Sequence, residues 1–197
     1  RLELSRIRMA SDRPQQEFLG VTSLYAAGIA LGVFVPDAGF RMAGAGLAAL
    51  GGWLMARDIA WDNLRRPGLP RFIGAALLSG YLWLPVSGAI FLWEGVLRAG
   101  LVYDAALHGV FVGFVMAMIF AHAPIIFPSV LGVDLEWGAH LYGPLVLLQA
   151  ATAARLVGDL AGMFALRRWG GLFAAVAIVA YLVLLVGGTA WKGLRVG

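Results

Sequence analysis

Six apolar segments, each close to the length of a membrane-spanning helix, make up most of this chain. A helix needs about 20 mainly apolar residues to cross the hydrocarbon layer of a bilayer. The segments cover residues 18–35, 40–55, 72–93, 107–128, 140–164 and 172–190. The connections between them are short. The sequence therefore predicts an all-α polytopic membrane protein, built as one bundle of six transmembrane helices.

Charged residues are too few in this chain to cover the surface of a soluble domain. They make up 13% of the sequence, whereas 61% is hydrophobic, and an average soluble domain has about 25% charged residues. The chain contains no cysteine, which excludes disulfides, thiolate metal sites, iron–sulfur clusters and cysteine nucleophiles. Any metal or cofactor must be held by histidine, methionine, carboxylate, tyrosine or backbone groups.

The arginines lie mainly between the apolar segments, as charges that flank membrane spans do. This placement forms no phosphate-binding surface, so no nucleic-acid partner is expected. We predict an interfacial N-terminal segment at residues 1–17, one transmembrane domain at residues 18–192 and a tail at residues 193–197. By the positive-inside rule, the arginine-rich residues 1–17 and 57–71 face the cytoplasm. Both termini are then cytoplasmic, and we expect a bacterial inner-membrane location.

Three histidines stand out against this apolar background. His108 and His122 are the only ionisable residues of the fourth apolar segment. At 100° per residue, fourteen steps bring His122 back to within about 40° of His108 and about 21 Å further along the helix axis. His140 opens the fifth segment, and antiparallel packing of the two helices would bring it to the membrane level of His122.

The fifth apolar segment carries polar residues of its own, Arg155, Asp159 and Gln149. A charge inside the membrane costs several kcal/mol unless it is paired. Arg155 and Asp159, four residues apart, can pair with each other to lock the fold, or they can pair with a ligand. Counting along antiparallel helices places Arg155 at roughly the level of His108.

Neutral imidazole is a common axial ligand of haem iron. We therefore consider a haem b site with His122 and His140 as first-choice ligands, His108 as the next, and Arg155 as the partner of a haem propionate. Copper is not expected from this chain alone, because a copper site needs about three histidines and haem would use some of them. The alternative is structural, since a membrane histidine often only hydrogen-bonds a neighbouring helix.

Small residues and one proline predict details of the helix packing. Gly44, Ala48 and Gly52 recur at four-residue spacing, as do Gly109 and Gly113. Such spacing allows two helices to approach closely. Pro85 lies inside the third apolar segment and predicts a kink there, because proline removes a helical hydrogen bond.

The stretch "HGVFVGFVMAMIFAHAPIIFPSVLG", together with the later "ARLVGDLAG", resembles the haem- and copper-containing NnrS-type membrane proteins, which are distantly related to haem–copper oxidase subunit I. The resemblance covers about residues 103–162. It implies haem ligation by His108 or His122 and a link to respiratory or nitric-oxide chemistry.

These features together favour one function and leave two alternatives. We expect an integral membrane protein that binds haem b and serves as an electron-transfer or haem-sensing subunit of a larger respiratory-type complex, with the lipid bilayer and other membrane subunits as its partners. The first alternative is a non-catalytic scaffold subunit of a respiratory or photosynthetic complex. The second is a small transporter that uses Arg155 and Asp159.

Overall fold

The computed structural model describes residues 13–132 and 138–193, and all regular structure within these ranges is helical. The elements are α1 (Arg13–Phe34), α2 (Pro36–Arg57), α3 (Ala60–Leu64), α4 (Leu69–Tyr81), α5 (Trp83–Glu94), α6 (Leu101–His108), a π-helical segment (Gly109–Val115), α7 (Met116–Leu131), a 3₁₀ turn (Ala139–Leu141), α8 (Tyr142–Leu160) and α9 (Phe164–Gly193). The prediction of an all-α fold is confirmed for these residues. The predicted N-terminal segment and tail lie mostly outside the described ranges.

Five helical stretches among the described residues are long and apolar enough to cross a membrane. They are Arg13–Phe34, Leu69–Glu94, Leu101–Val130, Ala139–Leu160 and Phe164–Gly187. The predicted second span falls within α2, which is 22 residues long but is not one of the five. Helix α2 contains several glycines and the charged residues Asp37, Arg41 and Arg57, which lower its mean hydropathy.

The third apolar segment forms two helices, α4 and α5, that are interrupted only at Leu82. Pro85 is the third residue of α5. Proline has no N–H to donate to the carbonyl four residues earlier, and its ring crowds that carbonyl. The interruption therefore lies where the sequence predicts a kink.

Helices α1 and α2 form a tight antiparallel hairpin joined by Val35. Gly28 lies against Ala43, and a Cβ atom added to Gly28 would come 2.6 Å from the Ala43 Cα. Nearer the open end of the hairpin, a Cβ atom added to Gly46 would come 2.6 Å from the Tyr25 Cα. The two backbones approach this closely because glycine has no side chain.

A second set of glycines joins the hairpin to the rest of the bundle. A Cβ atom on Gly44 of α2 would lie 2.6 Å from the carbonyl oxygen of Gly88 in α5, and one on Gly88 would lie 2.6 Å from that of Gly44. Next to this contact, Ala48 packs on Gly88. Gly52, in contrast, has open space around it. Two of the three predicted small-residue positions therefore make the helix contact.

The core of the bundle lies between α4, α7, α8 and α9. Tyr181 of α9 stacks on Phe120 of α7 with ring centroids 3.7 Å apart and lies nearly parallel to Phe72 of α4. The Tyr181 hydroxyl donates a 2.6 Å hydrogen bond to the Phe120 carbonyl oxygen. All three rings are fully buried. This stack fixes α9 beside α7. The beginnings of α6 and α9 lie together at one end of the bundle, where Arg167 pairs with Asp104.

Candidate functional site

Four charged side chains meet at that end of the bundle. They are Asp104 of α6, Arg155 and Asp159 of α8, and Arg167 of α9, and we call them the ion-pair cluster. Arg155 Nε lies 3.0 Å from Asp159 Oδ2, and Arg167 Nε lies 2.9 Å from Asp159 Oδ1. Asp104 Oδ2 accepts from Arg167 Nη2 at 3.0 Å and also from Arg155 Nη2. Two carboxylates and two guanidinium groups therefore balance each other.

The cluster forms because the α8–α9 turn is short and glycines let the two helices touch. Only Ala161–Met163 separate the helices, and Gly162 has a positive φ of 65°. Gly158 packs on the backbone of Arg167, and Gly170 packs on the backbone of Arg155. The same approach lets Arg155 Nη1 donate to the Arg167 carbonyl oxygen at 3.3 Å. All three nitrogens of the Arg155 guanidinium thus have protein acceptors.

Burial within the cluster increases from Asp104 toward Asp159. The side chain of Asp159 is 0% exposed and that of Arg155 is 16% exposed, whereas Asp104 and Arg167 are 29% and 33% exposed. An isolated charge at the position of Asp159 would pay a large desolvation cost. The two arginines offset that cost, so the cluster fastens α6, α8 and α9 to one another.

His108 lies beside the ion-pair cluster, one turn along α6 from Asp104. Its Nδ1 is 2.8 Å from the Asp104 carbonyl oxygen and 3.4 Å from Asp104 Oδ1. A carbonyl oxygen only accepts, so Nδ1 carries the proton and the neutral ring has its lone pair on Nε2. Asp104, His108 and Asp159 each offer a ligand atom within 4.8 Å of the others. Both carboxylates are bound by guanidinium groups, however, and that positive charge opposes a cation.

His122 lies on the outward face of α7. Its Nδ1 is 2.7 Å from the Met118 carbonyl oxygen, which again leaves the lone pair of the neutral ring on Nε2. The side chain is exposed and lines an apolar surface groove. The other residues of this His122 groove all belong to the π-helical segment and α7: Phe114, Val115, Met118, Ile119, Ala123, Ile126 and Phe127.

His140 occupies a third environment, the 3₁₀ turn before α8. It is exposed, and its ring lies over Gly138 of the same turn. The structure thus places His108 at the ion-pair cluster, His122 on the outer face of α7 and His140 in a turn. The hydrogen-bond partner of His122 is on α7, whereas the ring of His140 lies over its own turn.

The polar group of Gln149 is held by an aromatic side chain that the sequence did not single out. Trp83 Nε1 donates to Gln149 Oε1 at 2.5 Å. The indole ring fits over Gly113 in the π-helical segment, where a Cβ atom would come 2.5 Å from Trp83 Cδ1. π-Helical segments are rare in proteins, and those that occur are often at functional sites. Trp83, Gln149 and the π-helical segment therefore fix α5, α6 and α8 relative to one another.

Replacement of Trp83 by phenylalanine tests this contact. The ring would still cover Gly113, but Gln149 Oε1 would lose its donor, and Gln149 Nε2 already has no partner among the described residues. A buried polar group left without a partner costs about 1–3 kcal/mol. We expect a loss of that size in the free energy of unfolding, measured by SDS titration in mixed micelles. Trp93→Phe is the control, because Trp93 is 83% exposed, and an equal loss there would contradict the prediction.

Neither Arg167 nor Asp104 was among the candidate site residues predicted from the sequence. Arg167 belongs to "LRRWG", which reads as a loop because its two arginines interrupt the apolar pattern. In the structure this stretch is already part of α9. The charges of Arg155 and Asp159 cancel, so the second acid, Asp104 on another helix, left one negative charge without a partner. This was the available signal, since buried charges are normally balanced.

Comparison with known proteins identifies a family but no activity. No curated protein and no solved structure matches the chain. A family described as a domain of unknown function, DUF8744, matches residues 1–190, and this range contains the whole ion-pair cluster and all three histidines. The chain therefore belongs to the DUF8744 family.

Proposed function

We propose that the chain is an integral membrane protein in which all six long helices cross the bilayer. The support for α2 as a span is its packing: it lies along α1 on one side and along α5 on the other, and both neighbours belong to apolar, span-length stretches. Six spans put both termini on one side. The arginine-rich connection from α2 to α4 is on that same side, which favours a cytoplasmic location by the positive-inside rule. The proposed compartment is the bacterial inner membrane.

Within this membrane protein, we propose that His122 binds haem b on the outward face of α7. The observation that carries the proposal is the 2.7 Å contact from His122 Nδ1 to the Met118 carbonyl oxygen. A metal-bound histidine almost always donates its other ring N–H to such an acceptor, which fixes the tautomer and the ring orientation. The resemblance of this stretch to NnrS-type haem proteins supports the same assignment.

The side chains around His122 are apolar and could pack against one face of a porphyrin. The side chains that share its groove are aliphatic, aromatic or methionine, and none of them carries a charge. Aromatic and aliphatic side chains are the usual lining of a cofactor site. The groove is built from the π-helical segment and α7, which follow each other without a break, so it covers only one side of a flat ligand.

In this proposal His122 would hold the haem from this chain, and a second ligand would come from another subunit. His140 packs on its own turn, and His108 is held beside Asp104 on a different part of the bundle. The chain is therefore one component of a larger complex, in which haem lies at the contact between subunits. The chain supplies the imidazole of His122, orients this ring through the Met118 carbonyl oxygen and excludes water from the haem with its apolar groove. The complex uses the haem for electron transfer or haem sensing.

Single histidine variants test this assignment. His122→Ala is expected to lower the haem content of the purified complex at least tenfold, read as the Soret absorbance per protein. His140→Ala is the matched control, because His140 is also exposed but packs on its own turn, and it should keep the full haem content. Membrane insertion of both variants is checked by flotation. Full haem content in His122→Ala, with normal insertion, refutes the proposal.

A further inference from the structure

The helix that carries His122 contains two prolines, Pro124 and Pro128. Proline has no N–H to donate to the carbonyl oxygen four residues earlier. For Pro124 that carbonyl belongs to Phe120, so one backbone hydrogen bond is missing from residues 120–124, which we call the proline turn. His122 lies in the middle of the proline turn. The proposed haem ligand is therefore carried by a part of α7 that its own backbone holds weakly.

Tyr181 of α9 supplies the missing donor from outside the helix. Its hydroxyl donates to the Phe120 carbonyl oxygen at 2.6 Å, and its ring stacks on the Phe120 ring. Tyr181 and Phe120 are 0% and 1% exposed, so the carbonyl oxygen is shielded from water. A buried carbonyl oxygen that lacks a donor is unfavourable. The Tyr181 hydroxyl thus completes the hydrogen bonding of the proline turn.

The ring of His122 depends on the geometry of the same backbone. Its Nδ1 lies 2.7 Å from the carbonyl oxygen of Met118, one helical turn earlier. This contact requires the backbone from Met118 to His122 to stay helical, and that stretch includes Phe120. His122 is exposed, whereas Phe120 is buried. The Tyr181 hydroxyl therefore acts on His122 through the backbone of α7 and not by direct contact.

The His122 groove depends on the bend of α7 at Pro124. Ile119 of the groove precedes this proline, and Ile126 of the groove follows it. Sharp bends of helices occur mainly at proline, and a change of bend would move the two parts of the groove relative to each other. Helix α9 contributes no residue to the groove. It controls the bend only through the hydroxyl of Tyr181.

From these observations we infer that Tyr181 is a positioning residue for His122. Its hydroxyl holds the carbonyl that Pro124 leaves free, and it thereby keeps the proline turn at one bend. The His122 ring then stays on the Met118 carbonyl oxygen, and the His122 groove keeps one shape. The consequence for haem rests on the proposed function, whereas the effect on the His122 ring does not.

The first test compares the complex containing Tyr181→Phe with the unmodified complex. Phenylalanine keeps the ring stack and removes only the hydroxyl. Transfer of haem to an excess of apomyoglobin should become at least tenfold faster. The highest g value in the EPR spectrum of the oxidised haem, which depends on the orientation of the axial imidazole, should also shift. An unchanged transfer rate and an unchanged g value overturn the inference.

Tyr81→Phe is the matched control for loss of a buried phenol hydroxyl. Tyr81 is 4% exposed, belongs to the same core and contacts the Phe114 ring from α4. This variant should leave the transfer rate and the g value unchanged, even where it lowers the stability of the fold. Changes of equal size in Tyr81→Phe and Tyr181→Phe would contradict a specific role of Tyr181.

Replacement of Pro124 by alanine provides the second arm. Alanine restores an N–H for the Phe120 carbonyl oxygen, so adding Tyr181→Phe to Pro124→Ala should change the haem-transfer rate less than twofold. If Tyr181→Phe alone does not fold, the double variant should still fold and keep its haem. A tenfold effect of Tyr181→Phe in the Pro124→Ala protein, or failure of the double variant to fold, overturns the inference.

A measurement on the haem-free protein separates this inference from the proposed function. ¹⁵N NMR of the histidine rings, with the His122 signal identified by its loss in His122→Ala, should show one Nδ1–H tautomer for His122. Tyr181→Phe should show both tautomers. An unchanged single tautomer in Tyr181→Phe overturns the inference. Absence of haem from the unmodified complex, together with the expected tautomer change, refutes only the haem assignment.

Discussion

Replacement of Asp159 by asparagine is expected to lower the free energy of unfolding by about 3–5 kcal/mol. Asparagine keeps the shape of the side chain but removes the one fully buried negative charge of the ion-pair cluster. Arg155 and Arg167 would then share only the carboxylate of Asp104, and the excess positive charge would remain at the contact of three helices. The loss should therefore exceed that of an ordinary surface substitution several-fold.

The control for this prediction is Asp62→Asn. Asp62 also pairs with an arginine on its own helical turn, at 3.5 Å from Arg65, but its side chain is 63% exposed. Exposed pairs of this kind contribute little, since water screens them. Both variants are unfolded by SDS in mixed micelles and followed by circular dichroism. Equal stability of Asp159→Asn and the unmodified protein would show that the cluster does not hold the helices together.

Replacement of Gly44 by leucine is the second change with a large expected effect. A Cβ atom at this position would come 2.6 Å from the Gly88 carbonyl oxygen and 2.6 Å from the Leu92 amide nitrogen. Both are backbone atoms of a regular helix, so no side-chain rotation relieves the overlap. The α1–α2 hairpin must move away from α5. Overpacking of this kind costs about 1–3 kcal/mol, and we expect the upper end of that range because the backbone has to shift.

Gly52→Leu separates this steric effect from the effect of removing a helical glycine. Gly52 is on the same helix, eight residues after Gly44, and a Cβ atom there would meet nothing within 4 Å. Leucine also has a higher helix propensity than glycine, which favours the Gly52 variant slightly. The midpoint of thermal unfolding in detergent should fall for Gly44→Leu and stay level or rise for Gly52→Leu. A similar fall in both would contradict the helix contact described for Gly44.

The helices of this fold were predictable from the sequence, because the length of an apolar segment and the position of a proline influence helix formation within that same segment. Each apolar segment became helical, and the interruption at Leu82 lies beside Pro85, as proline chemistry requires. The four-residue spacing of Gly44, Ala48 and Gly52 indicated the correct face of α2 only in part. Spacing identifies residues on one stripe, whereas the extent of contact depends on where the neighbouring helix crosses that stripe.

The arrangement around the histidines was less predictable, and the π-helical segment explains why. Counting 100° per residue places His108 and His122 on one stripe, which assumes an unbroken α-helix between them. A π-helix bonds each residue to the fifth one along instead of the fourth, so it turns less per residue. Gly109–Val115 lie between the two histidines. His108 accordingly lies beside the ion-pair cluster, while His122 lies on the outer face of α7.

The pairing of Arg155 with Asp159 was open to two interpretations in the sequence, fold-locking or ligand binding. In the structure, Asp104 and Arg167 complete a balanced set of four charges. These two residues come from other helices, 51 and 12 positions away from Arg155. Local sequence patterns carry no information on such partners, because they depend on how α6 and α9 pack against α8.

The visible absorption spectrum of the protein, purified from membranes of haem-sufficient cells, shows whether His122 holds haem b in a membrane-embedded complex. A Soret band and, after reduction with dithionite, a sharp α-band are expected, and both should diminish in parallel when His122 is replaced. A colourless preparation that is folded, membrane-inserted and still bound to its partner subunits would contradict the claim.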